Sequence, residues 1–264
     1  MKITANNISL NYEVDGPENA PWVTFSNSLA ADLTMWDPQV NHFKDNYRIL
    51  RYDTRGHGKS EPISGAYTLD MLANDVFGLW NALGIEKSHF IGLSLGGMTA
   101  QSLALQYPER LNSIAVCDSR ADCPEGYRSN WHQRIPEVEK NGMEPLVEPT
   151  LQRWFTDGCR SAEPEMMDRV RAMIRSTSSF GYIGCAQAIL ELDYLSKLKA
   201  ITLPTIFIVG AQDGGTPPEA AQAMHKEVTG SQYMEIDPAA HVSNMENPTD
   251  FNKTLDDFLS GLNK

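Results

Sequence analysis

The sequence predicts an α/β chain: a mostly parallel, eight-stranded sheet with helices on both faces and a helical segment inserted late in it. Three observations carry this. Short apolar runs of strand length alternate with stretches of helical period, the pattern of strands linked by crossover helices. The run before Ser94 is apolar throughout, as a strand buried on both faces is. One long region, from about Cys123 to Leu195, loses the alternation and reads as helix without a clear strand.

Taken in order, the N-terminus reads as strand at once, and Ile8 to Tyr12 alternates before the turn signal Asp15-Gly16-Pro17. Trp22 to Phe25 and Arg48 to Tyr52 are the next runs. Leu69, Leu72, Val76, Leu79 and Leu83 share one face of a helix that Gly84 closes. His89 to Leu93 is a strand running straight into Ser94, and the helix after it, Gly96 to Tyr107, is stopped by Pro108. Ile114 to Cys117, Thr205 to Val209 and Gln232 to Ile236 complete the strands, and a last helix covers Pro248 to Leu259. The core is therefore expected in residues 1–122 and 196–264, with residues 123–195 as a cap inserted after the sixth strand. In such sheets function gathers at the carboxyl ends of the strands. Ser94, Asp118, Asp213 and His241 all fall there or in the loops that follow.

Composition narrows the class. The chain has 264 residues, 41% hydrophobic and 21% charged, enough apolar material for a sizeable core. A net charge of −12 disfavours nucleic acid and anionic membranes as partners, so a small molecule is expected; an anionic one would need a local cation. Cys117, Cys123, Cys159 and Cys185 form no C-x-x-C pair and keep no ligand spacing with histidine, so reduced thiols and no metal site are expected. No apolar leader and no run of about 18 apolar residues is visible, which leads to the expectation of a cytoplasmic protein. No G-x-G-x-x-G follows a strand and no G-x-x-x-x-G-K occurs, so no cofactor is expected.

The motif that carries chemistry is Gly92-Leu93-Ser94-Leu95-Gly96, a G-x-S-x-G between a strand and a helix. A chain that turns that sharply needs small residues on either side of the serine, because it packs against itself there. The serine hydroxyl is a weak nucleophile without a base. His241, in Ala240-His241-Val242-Ser243, follows the last strand and is the base that the chain order Ser, acid, His calls for. The acid is expected at Asp213, in the loop after Ile206 to Gly210; Asp118, at the end of the preceding strand, is the alternative. An oxyanion hole needs two backbone N–H groups. These are expected from Leu95 and from Leu29, in the loop Phe25-Ser26-Asn27-Ser28-Leu29. The segment Tyr52 to Ser60, with its glycines, reads as scaffold.

Together these stretches, with Met35-Trp36-Asp37, Arg55-Gly56-His57-Gly58, Asn244-x-Glu246-x-Pro248 and the cap residues Trp131, Arg134, Arg153-Trp154-Phe155, Gly181-Tyr182, Cys185 and Ala188, resemble the 3-oxoadipate enol-lactonases of the α/β-hydrolase superfamily over essentially the whole chain. The resemblance implies an α/β-hydrolase fold and a carboxylic ester hydrolase that opens a small enol-lactone through an acyl-serine. It further implies that the substrate bears a carboxylate. Arg134 is the expected cation for it and Trp131 an apolar wall, although a solvated helix charge is an equally open reading of Arg134. The segment Cys117-Asp118-Ser119-Arg120-Ala121-Asp122 departs from that family, in which this strand end is neutral and small-polar. A carboxylesterase, a perhydrolase-like enzyme or a carbon–carbon bond hydrolase would use the same residues, and a slow ligand receptor would keep the fold with weak turnover.

Overall fold

Eight strands form one sheet in the computed structural model, which describes residues 1–262; the last two residues of the expected core lie outside the described residues. The strands are β1 (Lys2–Ala5), β2 (Ile8–Asp15), β3 (Trp22–Ser26), β4 (Arg48–Tyr52), β5 (Ser88–Leu93), β6 (Leu111–Cys117), β7 (Thr205–Gly210) and β8 (Gln232–Ile236). Their order is β1-β2-β4-β3-β5-β6-β7-β8. β1 with β2 and β2 with β4 pair antiparallel, and every other pairing is parallel. The hairpin between β1 and β2 turns on Asn6 and Asn7, both at positive φ, as a tight hairpin turn requires. β2 continues three residues past Tyr12 because Tyr12–Asp15 pair with Ile49–Tyr52 of β4. Pairing, not pattern, sets its end.

The helices are α1 (Asp37–Phe43), α2 (Leu69–Leu83), α3 (Leu95–Gln106), α4 (Glu125–Asn141), α5 (Val147–Trp154), α6 (Asp157–Ala162), α7 (Pro164–Ser176), α8 (Ser179–Leu190), α9 (Pro218–Glu227), α10 (Ser243–Glu246) and α11 (Pro248–Gly261). Alternate residues of the central strands feed two apolar layers. Ile91, Leu93, Ala115, Cys117, Ile206 and Ile208 join Val40 and Phe43 of α1 and Phe251 and Leu255 of α11. Phe90, Ile114, Val116, Phe207 and Val209 join Val76 and Trp80 of α2, Leu103 of α3 and Met224 of α9. This is the strand period of two expressed as a sheet covered on both faces.

Between β6 and β7 the chain runs through α4 to α8, with short 3-10 turns at Glu144–Leu146 and Leu195–Ala200. These helices have no separate core: Trp131, Val138, Trp154, Tyr182 and Ile189 belong to the same apolar cluster as Phe25 and Trp36. The tightest seat is glycine on glycine. A Cβ on Gly181 of α8 would lie 2.3 Å from the Gly56 carbonyl oxygen, and one on Gly56 would lie 2.3 Å from the Gly181 Cα.

The segment Tyr52 to Ser60 braces the loops around it. Asp53 accepts hydrogen bonds from Leu33 N, Lys59 N and Asn11 Nδ2, each at 2.8 Å. Arg55 forms a doubly hydrogen-bonded ion pair with Asp75 of α2, both buried, with the guanidinium 5.1 Å from the Tyr67 ring centroid. Burial raises the Asp75 pKa against the pull of Arg55, so the charge depends on its partner. Arg55→Met should lower stability by about 3–5 kcal/mol, as loss of one member of a buried ion pair does, while Arg55→Met with Asp75→Leu should recover most of it. Denaturant unfolding of the three proteins at neutral pH reads both values.

Candidate active site

The site is built around the turn from β5 into α3. Ser94 sits at φ 56° and ψ −111°, a conformation that costs a non-glycine residue energy and persists only where the surroundings impose it. Here they do. A Cβ on Gly92 would stand 2.0 Å from the Gly96 carbonyl oxygen, and one on Gly96 would stand 2.2 Å from the Ser26 carbonyl oxygen. Ser94 N donates to Cys117 O at 2.8 Å and Gly96 N to Asn27 O at 3.1 Å, so the turn is stitched to the ends of β6 and β3.

Two other loops converge on it. His241 Nε2 lies 3.0 Å from Ser94 Oγ, and His241 Nδ1 lies 2.8 Å from Asp213 Oδ2. Asp213 is itself held by Gly215 N at 2.8 Å and Thr216 N at 3.0 Å on one oxygen, and by the Thr216 hydroxyl at 2.7 Å on the other. Burial would raise the Asp213 pKa, but the imidazole and the Thr216 hydrogen bonds outweigh it and hold the carboxyl below its ordinary value. Burial would likewise lower the His241 pKa, but the Asp213 charge and hydrogen bond hold it above its ordinary 6.5.

Asp118, the alternative acid, does not hold the imidazole. One of its oxygens accepts from Gly210 N at 2.7 Å, and the other from Ser243 N at 3.2 Å and the Ser243 hydroxyl at 2.6 Å. Gly210 ends β7, just before the Asp213 loop, and Ser243 opens α10, just after His241, so the Asp118 carboxyl joins the flanks of both to the end of β6. Burial, and then the negative charge of Asp213, push its pKa up to about 8.

Ser94 and His241 open on a cavity of about 500 Å³ whose walls include Leu29, Trp131, Arg134, Arg153, Tyr182 and Thr216. Among the described residues Leu29 N has no partner, and Leu95 N, in the first turn of α3, has no acceptor inside its helix. Leu95 concerns the site through its backbone alone, since its side chain is buried in the core. Asn27 holds the Leu29 loop in register. Its side-chain Oδ1 accepts from Trp36 Nε1 at 3.1 Å and its Nδ2 donates to Tyr52 O at 3.0 Å.

The cavity is cationic. Arg120, Arg134 and Arg153 line it, and no Asp or Glu does. Arg120 is compensated by Asp122 at 2.8 Å and lies 4.4 Å from the Tyr127 ring centroid. Among the described residues no carboxylate pairs with Arg134 or Arg153. Arg134 stacks on Trp131 at 5.0 Å, and Arg153 donates to Pro149 O and Thr150 Oγ1, each at 2.8 Å. Burial, and then the like charge of Arg134, push the Arg153 pKa down to about 10, so Arg153 remains a cation at neutral pH. The Trp131 indole N–H is buried without a partner. No helix among the described residues is long and apolar enough to cross a membrane.

A strained serine at a strand–helix turn, facing a histidine and a buried aspartate across a parallel sheet, defines an α/β hydrolase. The family model for the α/β hydrolase fold matches residues 21–248. The chain is 35% identical to 3-oxoadipate enol-lactonase 2 of Acinetobacter baylyi over 99% of its own length and 97% of that protein's. It superposes on the enol-lactonase of Burkholderia xenovorans with a TM-score of 0.95 at 36% identity, covering 98% of this chain and 100% of that one. It superposes on a thermophilic esterase of Thermogutta terrifontis with a TM-score of 0.93 at 30% identity, covering 100% and 99%. The chain belongs to the α/β-hydrolase family, within the group of the 3-oxoadipate enol-lactonases, and is a carboxylic ester hydrolase.

Three residues of the site carry no site role in the sequence reading. Arg153 is legible only as a charge in a helix, Thr216 only as a hydroxyl three residues after an aspartate, the spacing of a turn-forming side chain. Glu246 accepts Ala240 N at 2.7 Å and Thr156 N at 3.0 Å, which ties the His241 loop to the helical insertion. Nothing local announces that bond. The His241 ring is expected to titrate above pH 6.5 in NMR spectra, and Asp213→Asn, by removing the charge that holds it up, should bring the midpoint down; an unmoved midpoint would mean that Asp213 does not set it.

Proposed function

We propose that the protein hydrolyses a small enol-lactone bearing a carboxylate, 3-oxoadipate enol-lactone, through an acyl-enzyme on Ser94. The observation that carries the substrate is the cavity charge: arginines without a single acidic wall residue around Ser94, in a chain of net charge −12. Two uncompensated guanidinium groups on adjacent helices repel one another, and a bound carboxylate relieves that repulsion while forming paired hydrogen bonds with the planar donors. Arg134 and Arg153 are the residues we assign to it. Trp131 supplies an apolar wall with an unpaired donor. Residues 123–195 act as a cap that brings these cations over a catalytic core.

In this reading His241 takes the Ser94 proton at Nε2 as the oxygen attacks the lactone carbonyl. Asp213 keeps the other ring nitrogen protonated and stabilises the cation that forms. Leu29 N and Leu95 N receive the oxyanion. Collapse of the tetrahedral adduct breaks the ring C–O bond. The enolate leaves, the proton that His241 took from Ser94 passes to it and returns the ring to its neutral form, and the enol becomes a ketone; because an enolate is a stable leaving group, the step asks little of an acid. Water, deprotonated by His241, then attacks the acyl-serine, releases the second carboxylate and restores the serine. No cofactor enters, and the cytoplasm is the compartment we assign. The thermophilic esterase at a TM-score of 0.93 supports general ester hydrolysis as the second reading.

Steady-state hydrolysis of the lactone beside a neutral ester of similar size separates the two. The lactone should show the higher kcat/KM, and Ser94→Ala should lower kcat by at least about a thousandfold. Arg134→Ala and Arg153→Ala should each raise KM for the lactone about 10–100-fold and leave the neutral ester within about threefold, because only the anion contacts them. Fast ester with sluggish lactone would sink the substrate assignment. The acid limb of kcat/KM should lie above pH 6.5, since only the neutral His241 accepts a proton and its pKa is raised.

A further inference from the structure

Behind the catalytic cavity lies a second one, of about 670 Å³, and the two share Arg153, Gly214 and Gly215 as a common wall. The outer cavity sits where α5 and α6 meet the loops that carry Asp213 and His241. Three features mark it as a built site rather than a crevice. Its two sides, Thr156 on the insertion and Ala240 on the core, are held at fixed spacing by one carboxylate, since Glu246 accepts both the Thr156 and the Ala240 N–H. The wall is thin for no conformational reason. Gly214 lies outside the left-handed region and a Cβ built on it meets nothing within 4 Å, while a Cβ on Gly215 would make only an ordinary contact, 3.4 Å from Asp213 Oδ1. Glycine at both positions therefore leaves space open and satisfies no backbone need. Finally, the cation in the wall, Arg153, has no acidic partner among the described residues and lines both cavities. The outer wall adds Arg160 and the amides of Gln152 and Gln212, and its one acid, Asp157, is already paired with Arg160.

We propose that the outer cavity is an extension of the substrate site that receives the anionic tail of longer substrates, so that the protein also hydrolyses carboxylate-bearing esters and lactones whose carboxylate lies beyond the reach of the catalytic cavity. A short substrate ends at Arg153 from the inner side. A longer one passes over Gly214 and Gly215 and meets Arg153 and the two amides from the outer side. The inference rests on the reading of Ser94 as the nucleophile in an anion-selective pocket, and it extends the substrate class beyond the small lactone.

The test is a chain-length series: the methyl hemi-esters of succinic, adipic, suberic and sebacic acid, each beside a neutral methyl ester of the same length, hydrolysed by the wild-type protein. From succinate to suberate kcat/KM for the hemi-esters should change by less than about fivefold. The second arm moves charge without touching the catalytic groups. Gln152 is exposed, and among the described residues its side chain makes no hydrogen bond, so both Gln152→Glu and Gln152→Lys should fold. Gln152→Glu should lower kcat/KM for the suberate hemi-ester about tenfold and Gln152→Lys should maintain or raise it, with the succinate hemi-ester and all neutral esters within about twofold. A collapse of wild-type activity past adipate overturns the proposal, and so does an equal response of every length to the Gln152 substitutions. The hemi-esters report on the outer cavity whether or not the enol-lactone is turned over well, so a failure of the lactone assignment and a failure of this inference give different results.

Discussion

The fold of the site depends on one close approach. At the end of β5 the chain reverses into α3 within a single residue, and the space for that reversal exists only because Gly92 and Gly96 lack a Cβ. The strain at Ser94 is the consequence. It is sustained by hydrogen bonds to the ends of the neighbouring strands, Ser94 N to Cys117 O and Gly96 N to Asn27 O. The same bonds place the Asn27–Leu29 loop and the Asp118 segment on either side of the serine. A reversal with a larger residue at 96 would push against Ser26 and move the loop that carries the proposed oxyanion donor. The strained serine and the proposed oxyanion donors are thus one steric problem with one solution.

Charge divides the labour between the two parts of the chain. The sheet supplies Ser94, Asp213 and His241, all buried, with Asp213 ionised by its hydrogen bonds and His241 held ready by Asp213. The helical insertion supplies Arg134 and Arg153. In a chain of net charge −12 an anion would be repelled at long range. The local field of uncompensated guanidinium groups in a partly enclosed cavity reverses that sign where it matters, because low-dielectric walls screen them less than water would. The two parts do not drift independently. Val242 N donates to Trp154 O, and Glu246 joins Ala240 to Thr156, so both backbone neighbours of His241 are tied to contacts that fix the insertion.

Much of this was legible in the chain, and the boundary of legibility is physical. Leu69–Leu83 emerges with the limits its period indicates, because its cap, Thr68, and its stop, Gly84, are local. The serine turn, the last strand and the histidine beyond it carry local signatures as well. What escaped depends on partners far along the chain. The end of β2 is set by β4, where Asp15 pairs with Ile49 far along the chain. α1 and α9 are short helices opened by proline, with little period to read. Arg153 looks like any surface charge until the fold withholds a carboxylate from it. The extra charge at Cys117 to Asp122, which departs from the family pattern, resolves into two structural pairings: Asp118 satisfied by Gly210 and Ser243, Arg120 by Asp122.

Asp118 shows why proximity alone cannot assign an acid. Two carboxyl groups lie near one imidazole, on adjacent strand ends, and the sequence offers both. The one that holds the ring must present a lone pair to Nδ1 and remain ionised while it does so. Asp213 meets both conditions: a 2.8 Å contact, and three donors in a turn of its own that stabilise its charge. Asp118 meets neither. Its oxygens are committed to other donors, and burial first, then the charge of Asp213 beside it, raise its pKa. Burial disfavours a charge on Asp118 and the ionised Asp213 adds to that, so the pair sorts itself into one charged partner for the histidine and one structural link between the segments that hold it.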